Sequence, residues 1–76
     1  MPKLPVIKAK ALLKAVQKAG FYQFHQAGSH IQMKNKEGFR ITIPFHPSQE
    51  IRRGTLRGII ADMDLTVEKF IRLLKK

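Results

Sequence analysis

The sequence predicts an α+β fold in which a three-stranded antiparallel sheet carries helices on one face. Three patterns support this class: helical spacing of apolar residues over 8–19, alternation of apolar and polar residues between 22 and 43, and helical spacing again over 56–74. The order is helix, three strands and a helix pair, which leaves the second face of the sheet open to solvent. We expect one domain spanning residues 1–76.

The helices are predicted from apolar residues that recur every three to four positions. In the first helix, the residues that share one face are Ala9, Leu12, Leu13 and Val16. Two shorter faces follow: Leu56, Ile59, Ile60 and Met63, and then Val67, Phe70, Ile71 and Leu74. Gly20 provides a stop for the first helix, and Thr66 stands where the last helix needs an N-cap.

The register of the first hairpin is predicted from the rule that apolar residues share one face of a sheet. A tight turn centred on Ala27-Gly28 pairs Tyr22 with Met33 and Phe24 with Ile31, all facing inward. The first strand is therefore expected to contribute aromatic side chains to the core.

In the second hairpin, a three-residue loop, Lys36-Glu37-Gly38, keeps the apolar residues on the inner face. Gly38 then occupies the left-handed position that such loops require. Met33 faces Ile41 inward, and Pro44 ends the pairing.

The charge of the chain indicates a polyanionic partner. Fifteen lysines and arginines against five acidic residues give a net charge of +10 and a pI near 10.6. Such a field attracts nucleic acid by steering and counterion release, which we favour over an anionic membrane surface or a merely soluble basic protein. There is no cysteine and no apolar run of the length that a membrane span needs, so we expect a cytoplasmic protein without a membrane partner.

The open face of the predicted sheet carries only uncharged and basic side chains: Gln23, His25, His30, Gln32, Lys34, Arg40 and Thr42. Lys34 directly opposite Arg40 is a like-charge pair, which destabilises a sheet. Either both side chains splay into water or an anion lies between them, and phosphate is the obvious candidate.

The predicted pairing of His25 with His30 is the feature that most suggests chemistry. Cleavage of RNA requires a base for the 2′-OH proton and an acid for the leaving 5′-oxygen, and an imidazole suits either role. Histidines on strands are more often structural or solvated, so the pattern alone leaves both interpretations open. His46, after the third strand, is either a third participant or a turn residue.

The residues that other kinds of active site require are missing from the sequence or are not grouped in it. The carboxylates are scattered over turns and helices, which argues against a two-metal nuclease: Glu37, Glu50, Asp62, Asp64 and Glu68. The glycines of "RRGTLRG" match no phosphate-binding loop, and histidines on separate segments without cysteine make a poor zinc set. We expect neither a metal nor a small-molecule cofactor.

Several short motifs follow one another in an order and at spacings that are specific when taken together. They are Gly20-Phe21, Gln26 with Gly28-Ser29-His30, Pro44 with His46, and Gly54-Thr55-Leu56. From about Lys8 to Leu74 the chain resembles the HicA family of small bacterial and archaeal toxins. The family commonly has arginine where this chain has His25, and glycine where it has Pro47.

The resemblance implies a double-stranded-RNA-binding-domain-like fold, α-β-β-β-α. It also implies ribosome-independent cleavage of mRNA, neutralised by a HicB-type antitoxin that covers the site. In that family the histidine of the Gly-Ser-His motif is catalytic, and it corresponds to His30 here.

The sequence thus predicts a metal-independent mRNA endoribonuclease with His30 as principal acid/base residue. His25 is expected to be secondary, either orienting His30 or stabilising charge. Lys34 and Arg40 are expected to hold the scissile phosphate. The other residues expected to contact or steer RNA are Gln32 and the first-helix stripe of Lys10, Lys14 and Lys18.

Two other interpretations remain open at this point. The chain is alternatively a non-catalytic module that binds double-stranded RNA by shape. It is also interpretable as a partner-binding protein whose open face docks an acidic antitoxin. The stripe of Lys10, Lys14 and Lys18 either binds successive phosphates of a nucleic acid or is a solvated helix face.

Overall fold

A computed structural model describes residues 4–46 and 48–75 of the chain, so Pro47 lies outside the described residues. The elements are β1 (Ile7–Lys8), α1 (Ala9–Lys18), β2 (Tyr22–Ala27), β3 (His30–Lys34), β4 (Arg40–Pro44), β5 (Glu50–Ile51), α2 (Arg53–Asp62) and α3 (Val67–Lys75). β2, β3 and β4 form an antiparallel sheet in that order, and β1 pairs with β5. The α+β class predicted from the sequence is confirmed.

The core lies between the helices and the inner face of the sheet. From α1 it takes Ala9, Leu12, Ala15 and Val16, and from the sheet Ile31, Met33, Ile41 and Ile43. α2 and α3 add Leu56, Ile59, Ile60 and Phe70. α1 and α2 both pack on β4, and α1 also packs on α3. One face of the sheet is therefore covered by helices.

α1 ends at a Schellman motif, which the glycine after it makes possible. Gly20 has a φ of 95°, and its N–H donates to the Gln17 carbonyl at 3.0 Å. The Phe21 N–H donates to the Val16 carbonyl at 3.1 Å, and both of these side chains are buried. The motif satisfies the last carbonyls of the helix and turns the chain into β2.

α3 begins at the predicted N-cap. The Thr66 hydroxyl accepts a hydrogen bond from the Lys69 N–H at 3.1 Å, which satisfies a backbone donor of the first turn. Leu65, immediately before the cap, packs against the core cluster to which Phe70 belongs. The cap thereby fixes the angle at which α3 covers the core.

The predicted register of the second hairpin is confirmed. Met33 pairs with Ile41 and Lys34 with Arg40, and Gly38 has a φ of 92° in the three-residue loop. The sequence pattern did not identify the residue that organises this loop. The buried Asn35 side-chain oxygen accepts hydrogen bonds from the Glu37 and Phe39 N–H groups at 3.1 and 2.9 Å.

The predicted register of the first hairpin is wrong. The loop is Gly28-Ser29, with Gly28 at a φ of 58°, so Ala27 pairs with His30 and His25 with Gln32. Glycine at the first position of a two-residue loop is the signature of the type II′ hairpin.

An irregularity between Gln23 and His25 shifts the pairing by one residue, and Tyr22 then pairs with Lys34. The inward positions predicted for Tyr22 and Phe24 are also wrong, because every residue of β2 is exposed. β2 is an edge strand, and the helices pack on β4 at the opposite edge. Because β2 buries no side chain in the core, Tyr22 and Phe24 do not determine the register of the hairpin.

Candidate functional site

The open face of the sheet is organised in three cross-strand rows. They are Tyr22–Lys34–Arg40, His25–Gln32–Thr42 and Ala27–His30–Pro44. The three strands contain no acidic residue, so the only ionisable groups of opposite sign are missing from a face that presents imidazole, amide, cationic, aromatic and hydroxyl side chains. Such a surface is suited to the backbone of a nucleic acid.

His30 occupies the first position of β3, at one end of this face. It pairs with Ala27 on one side and Pro44 on the other, and its side chain is exposed. His25 does not stand directly opposite His30 as predicted, because the Gly28-Ser29 loop sets a different register. The two histidines are instead diagonal neighbours, and diagonal residues in antiparallel sheets lie about 7–8 Å apart, with their Cβ atoms somewhat closer. That spacing leaves room for a phosphate between two imidazoles.

His46 lies at the same end of the sheet as His30. The Phe45 N–H donates to the Ser29 carbonyl and so continues the β3–β4 ladder one step past Pro44. The exposed His46 lines a shallow cleft of about 170 Å³ together with Pro44, Gln49, Glu50, Ile51, Arg52 and Thr55. The cleft therefore adjoins the row of His30, and Arg52 adds a cation there.

Lys34 and Arg40 form the like-charge pair at the other end of the face. The structure places the ring of Phe24 against both of them: Lys34 Nζ lies 4.7 Å and Arg40 Cζ 5.7 Å from the ring centroid. Each cation–π contact at an exposed site contributes about 0.5–1 kcal/mol. The aromatic ring thus offsets part of the repulsion between the two cations.

The cation pair is separated from His30 along the sheet. Lys34 follows His30 by four residues on β3, and four residues of a strand span about 13 Å. Gln32 occupies the row between them and is half-buried. The face therefore extends over more than one nucleotide.

The lysines of α1 are placed in the helical layer, away from the open face. Lys10, Lys14 and Lys18 are all exposed on the side of α1 opposite its buried residues. Lys18 Nζ donates to the Leu73 carbonyl of α3 at 3.3 Å. The structure does not bring these lysines and His30 onto one face. An RNA strand that contacts both must therefore pass around an edge of the sheet.

The chain matches the model of a known protein family. Residues 9–65 match the model of the family described as "HicA toxin of bacterial toxin-antitoxin". The chain belongs to the HicA toxin family. Comparison with curated proteins gives no match.

The matched segment of this HicA toxin begins at the first residue of α1 and includes the whole three-stranded sheet. A toxin of this family implies a toxin–antitoxin partner. Among residues 4–46 and 48–75, no helix is long and apolar enough to cross a membrane. Within the same described residues, no three histidine or carboxylate side chains are grouped as metal ligands.

Sequence patterns missed the aromatic component of the open face of the HicA toxin. Phe24 was assigned to the core because it alternates with polar residues, and Arg52 was assigned no role. One feature of the sequence indicates this role for Phe24. A lysine opposite an arginine destabilises a sheet, and an aromatic ring on the neighbouring strand offsets the repulsion through cation–π contacts.

Proposed function

We propose that this HicA toxin is a metal-independent endoribonuclease that cleaves mRNA in the cytoplasm. The observation that carries the proposal is the placement of His30, exposed on a sheet face that holds basic and amide groups and no carboxylate. The net charge of +10 supports a polyanionic substrate. Membership of a toxin family supports an activity that harms the cell unless a partner blocks it.

The proposed reaction uses the 2′-OH of the RNA as nucleophile. An imidazole removes its proton, the 2′-oxygen bonds to the adjacent phosphorus, and the bond from phosphorus to the 5′-oxygen breaks. A protonated group delivers a proton to that 5′-oxygen, which leaves a 2′,3′-cyclic phosphate on the other product. His30 is the principal acid/base residue, and His25 is the secondary group that orients it or stabilises the charged phosphorane.

The remaining groups of the face bind the RNA. Gln32, between the row of His30 and the cation pair, is suited to hydrogen bonds with ribose or phosphate. Lys34 and Arg40, expected from the sequence to hold the scissile phosphate, lie about 13 Å from His30 along β3, so their proposed role is to bind another phosphate of the RNA backbone. The stripe of Lys10, Lys14 and Lys18 steers the strand towards the protein through long-range attraction.

A substrate that lacks a single 2′-OH tests this mechanism. In the presence of excess EDTA, we expect the protein to cleave an RNA oligonucleotide and to leave intact the same oligonucleotide carrying 2′-deoxyribose at the cleaved position. Gel analysis of both substrates measures the difference, and a deoxyribose two positions away serves as the matched control. Cleavage of the substituted RNA, or loss of all cleavage in EDTA, contradicts the proposal.

The second candidate function is a non-catalytic double-stranded-RNA-binding module. The double-stranded-RNA-binding-domain-like arrangement of helices and sheet favours it, because such domains bind duplex RNA through phosphate and 2′-OH contacts. Binding of RNA without any cleaved product, under conditions in which the protein is folded, would select this function over the endoribonuclease.

We further propose that the partner is an acidic HicB-type antitoxin that covers the open face. Replacing both Lys34 and Arg40 with alanine should then raise the Kd for the antitoxin at least about ten-fold, because two charge pairs are lost. Arg57→Ala, an exposed cation on α2, is the matched control and should leave the Kd unchanged. Calorimetric titration at two salt concentrations measures the Kd of the antitoxin for the double variant and for Arg57→Ala. An unchanged Kd for the double variant would show that the antitoxin docks elsewhere.

A further inference from the structure

An aromatic–cationic cluster occupies the end of the open face that is remote from His30. It consists of Tyr22, Phe24, Lys34 and Arg40. The exposed fractions of Tyr22 and Phe24 are 50% and 38%, although phenylalanine is among the residues most often buried and tyrosine is intermediate. The cluster is therefore a surface feature that packing of the apolar core does not explain.

The backbone of β2 aims Phe24 at this surface. The irregularity between Gln23 and His25 leaves Phe24 without a paired residue on β3. Irregularities of this kind reorient side chains and are over-represented both at sheet edges, such as β2, and next to active sites. Here the ring of Phe24 is brought against Lys34 Nζ and Arg40 Cζ, at 4.7 and 5.7 Å.

The combination of aromatic rings and cations matches the two parts of a nucleotide. Single-stranded nucleic acids are bound by aromatic side chains on which bases stack and by cations that follow the backbone. The three strands carry no acidic residue. The hairpin loop at this end holds the carboxylate of Glu37, which accepts a hydrogen bond from Asn35 Nδ2 at 3.1 Å. A paired base in a duplex has no free face to stack on, so the cluster is suited to an unpaired nucleotide.

The position of the cluster separates it from the reacting phosphate. His30 lies two cross-strand rows away, about 13 Å along β3. Both cations are held beside the ring of Phe24, so a phosphate bound by them lies next to that ring rather than at His30. The nucleotide in the cluster is therefore a neighbour of the one that is cleaved.

We propose that Tyr22, Phe24, Lys34 and Arg40 form a subsite for an unpaired RNA nucleotide that flanks the cleavage position. Its base stacks on the aromatic rings and its phosphate lies against Lys34 and Arg40. The inference rests on the proposed ribonuclease function, because it names the part of the substrate that this end of the face holds. Stacking accepts every base, so the subsite selects single-stranded RNA with little preference for sequence.

Binding of RNA with and without its bases tests the subsite. The protein is the full chain carrying His30→Ala, in which slow cleavage is expected to preserve the RNA during the measurement. The probes are an oligouridylate of about eight nucleotides and an abasic ribose-phosphate oligomer of the same length. We expect the oligouridylate to bind about ten-fold more tightly than the abasic oligomer, through stacking. Adding Phe24→Leu should reduce this ratio of affinities towards one, and adding Phe24→Tyr should preserve it.

Phe39→Leu is the matched control. Phe39 has a similar exposed fraction, 40%, but it lies next to the loop of the second hairpin, where its carbonyl accepts a hydrogen bond from the N–H of the buried Asn35. This substitution should leave the ratio unchanged, and thermal unfolding of every variant establishes that each is folded.

An equal ratio in the Phe24→Leu protein and its parent would overturn the subsite. So would unchanged RNA affinity combined with weakened binding of the cognate antitoxin, which would assign the cluster to the protein partner. The test measures binding in a protein that does not cleave, so it can fail while cleavage by the original protein stands. Conversely, the 2′-deoxyribose experiment can fail while base-dependent binding is observed.

Discussion

His30→Ala is expected to reduce the rate of RNA cleavage by about 10²- to 10⁴-fold, the usual contribution of a general acid/base group. His30 is exposed and makes no contribution to the apolar core, so its removal should leave the fold intact. The position at the start of β3 is held by backbone pairing with Ala27 and Pro44, which alanine preserves. The variant therefore isolates the chemistry of the side chain from the architecture that presents it.

Single-turnover cleavage with protein in excess over RNA, in EDTA, measures this effect without interference from product release. His25→Ala is the informative comparison, because His25 lies on the same face in the adjacent row. We expect it to retain more activity than His30→Ala, in keeping with a secondary role. Equal cleavage by the original and by His30→Ala would place the chemistry on another residue or on a contaminating nuclease.

The sequence predicted those parts of the fold in which periodicity and burial agree. Met33 and Ile41 both face the core, and a shift of either strand by one residue would expose them. The left-handed Gly38 then admits only a short loop between the strands. Hydrophobic pattern and turn chemistry gave the same answer, so the second hairpin was predicted correctly.

The first hairpin was predicted wrongly because the two sources of information disagreed. Alternation of Tyr22 and Phe24 with polar residues suggested an inward face, but β2 lies at the sheet edge that the helices do not cover. The Gly28-Ser29 loop fixed the register instead. Whether a strand lies at an edge is decided by the assembled fold, and a pattern of alternating residues does not contain that information.

The candidate site shows the same division. His30 was singled out first by its predicted pairing with His25, and its principal role came from a motif resemblance. Lys34 opposite Arg40 came from a register that the core enforces. Phe24 was missed because its outward position depends on a local irregularity that involves no glycine or proline. A like-charge pair on a predicted sheet is thus a reason to search the neighbouring strand for an aromatic ring.

Phe70→Ala is expected to lower the free energy of unfolding by about 3–5 kcal/mol, the cost of removing a buried phenylalanine. Phe70 has no exposed surface and is the largest fully buried side chain among the described residues, although it lies beyond residue 65, where the family match ends. A domain of this size has a total stability of about 4–11 kcal/mol, so the loss removes a large share of it.

Urea denaturation followed by circular dichroism measures the Phe70→Ala loss, with Lys69→Ala, an exposed neighbour on α3, as the matched control. The control should change stability by no more than about 0.5 kcal/mol. If Phe70→Ala is too unstable to fold, Phe70→Leu should give a smaller, measurable loss in the same direction. Unchanged stability of both Phe70 variants would contradict the packing of α3 on the core. The expected losses would instead establish that the helix beyond the family match stabilises the sheet on which His30 is presented.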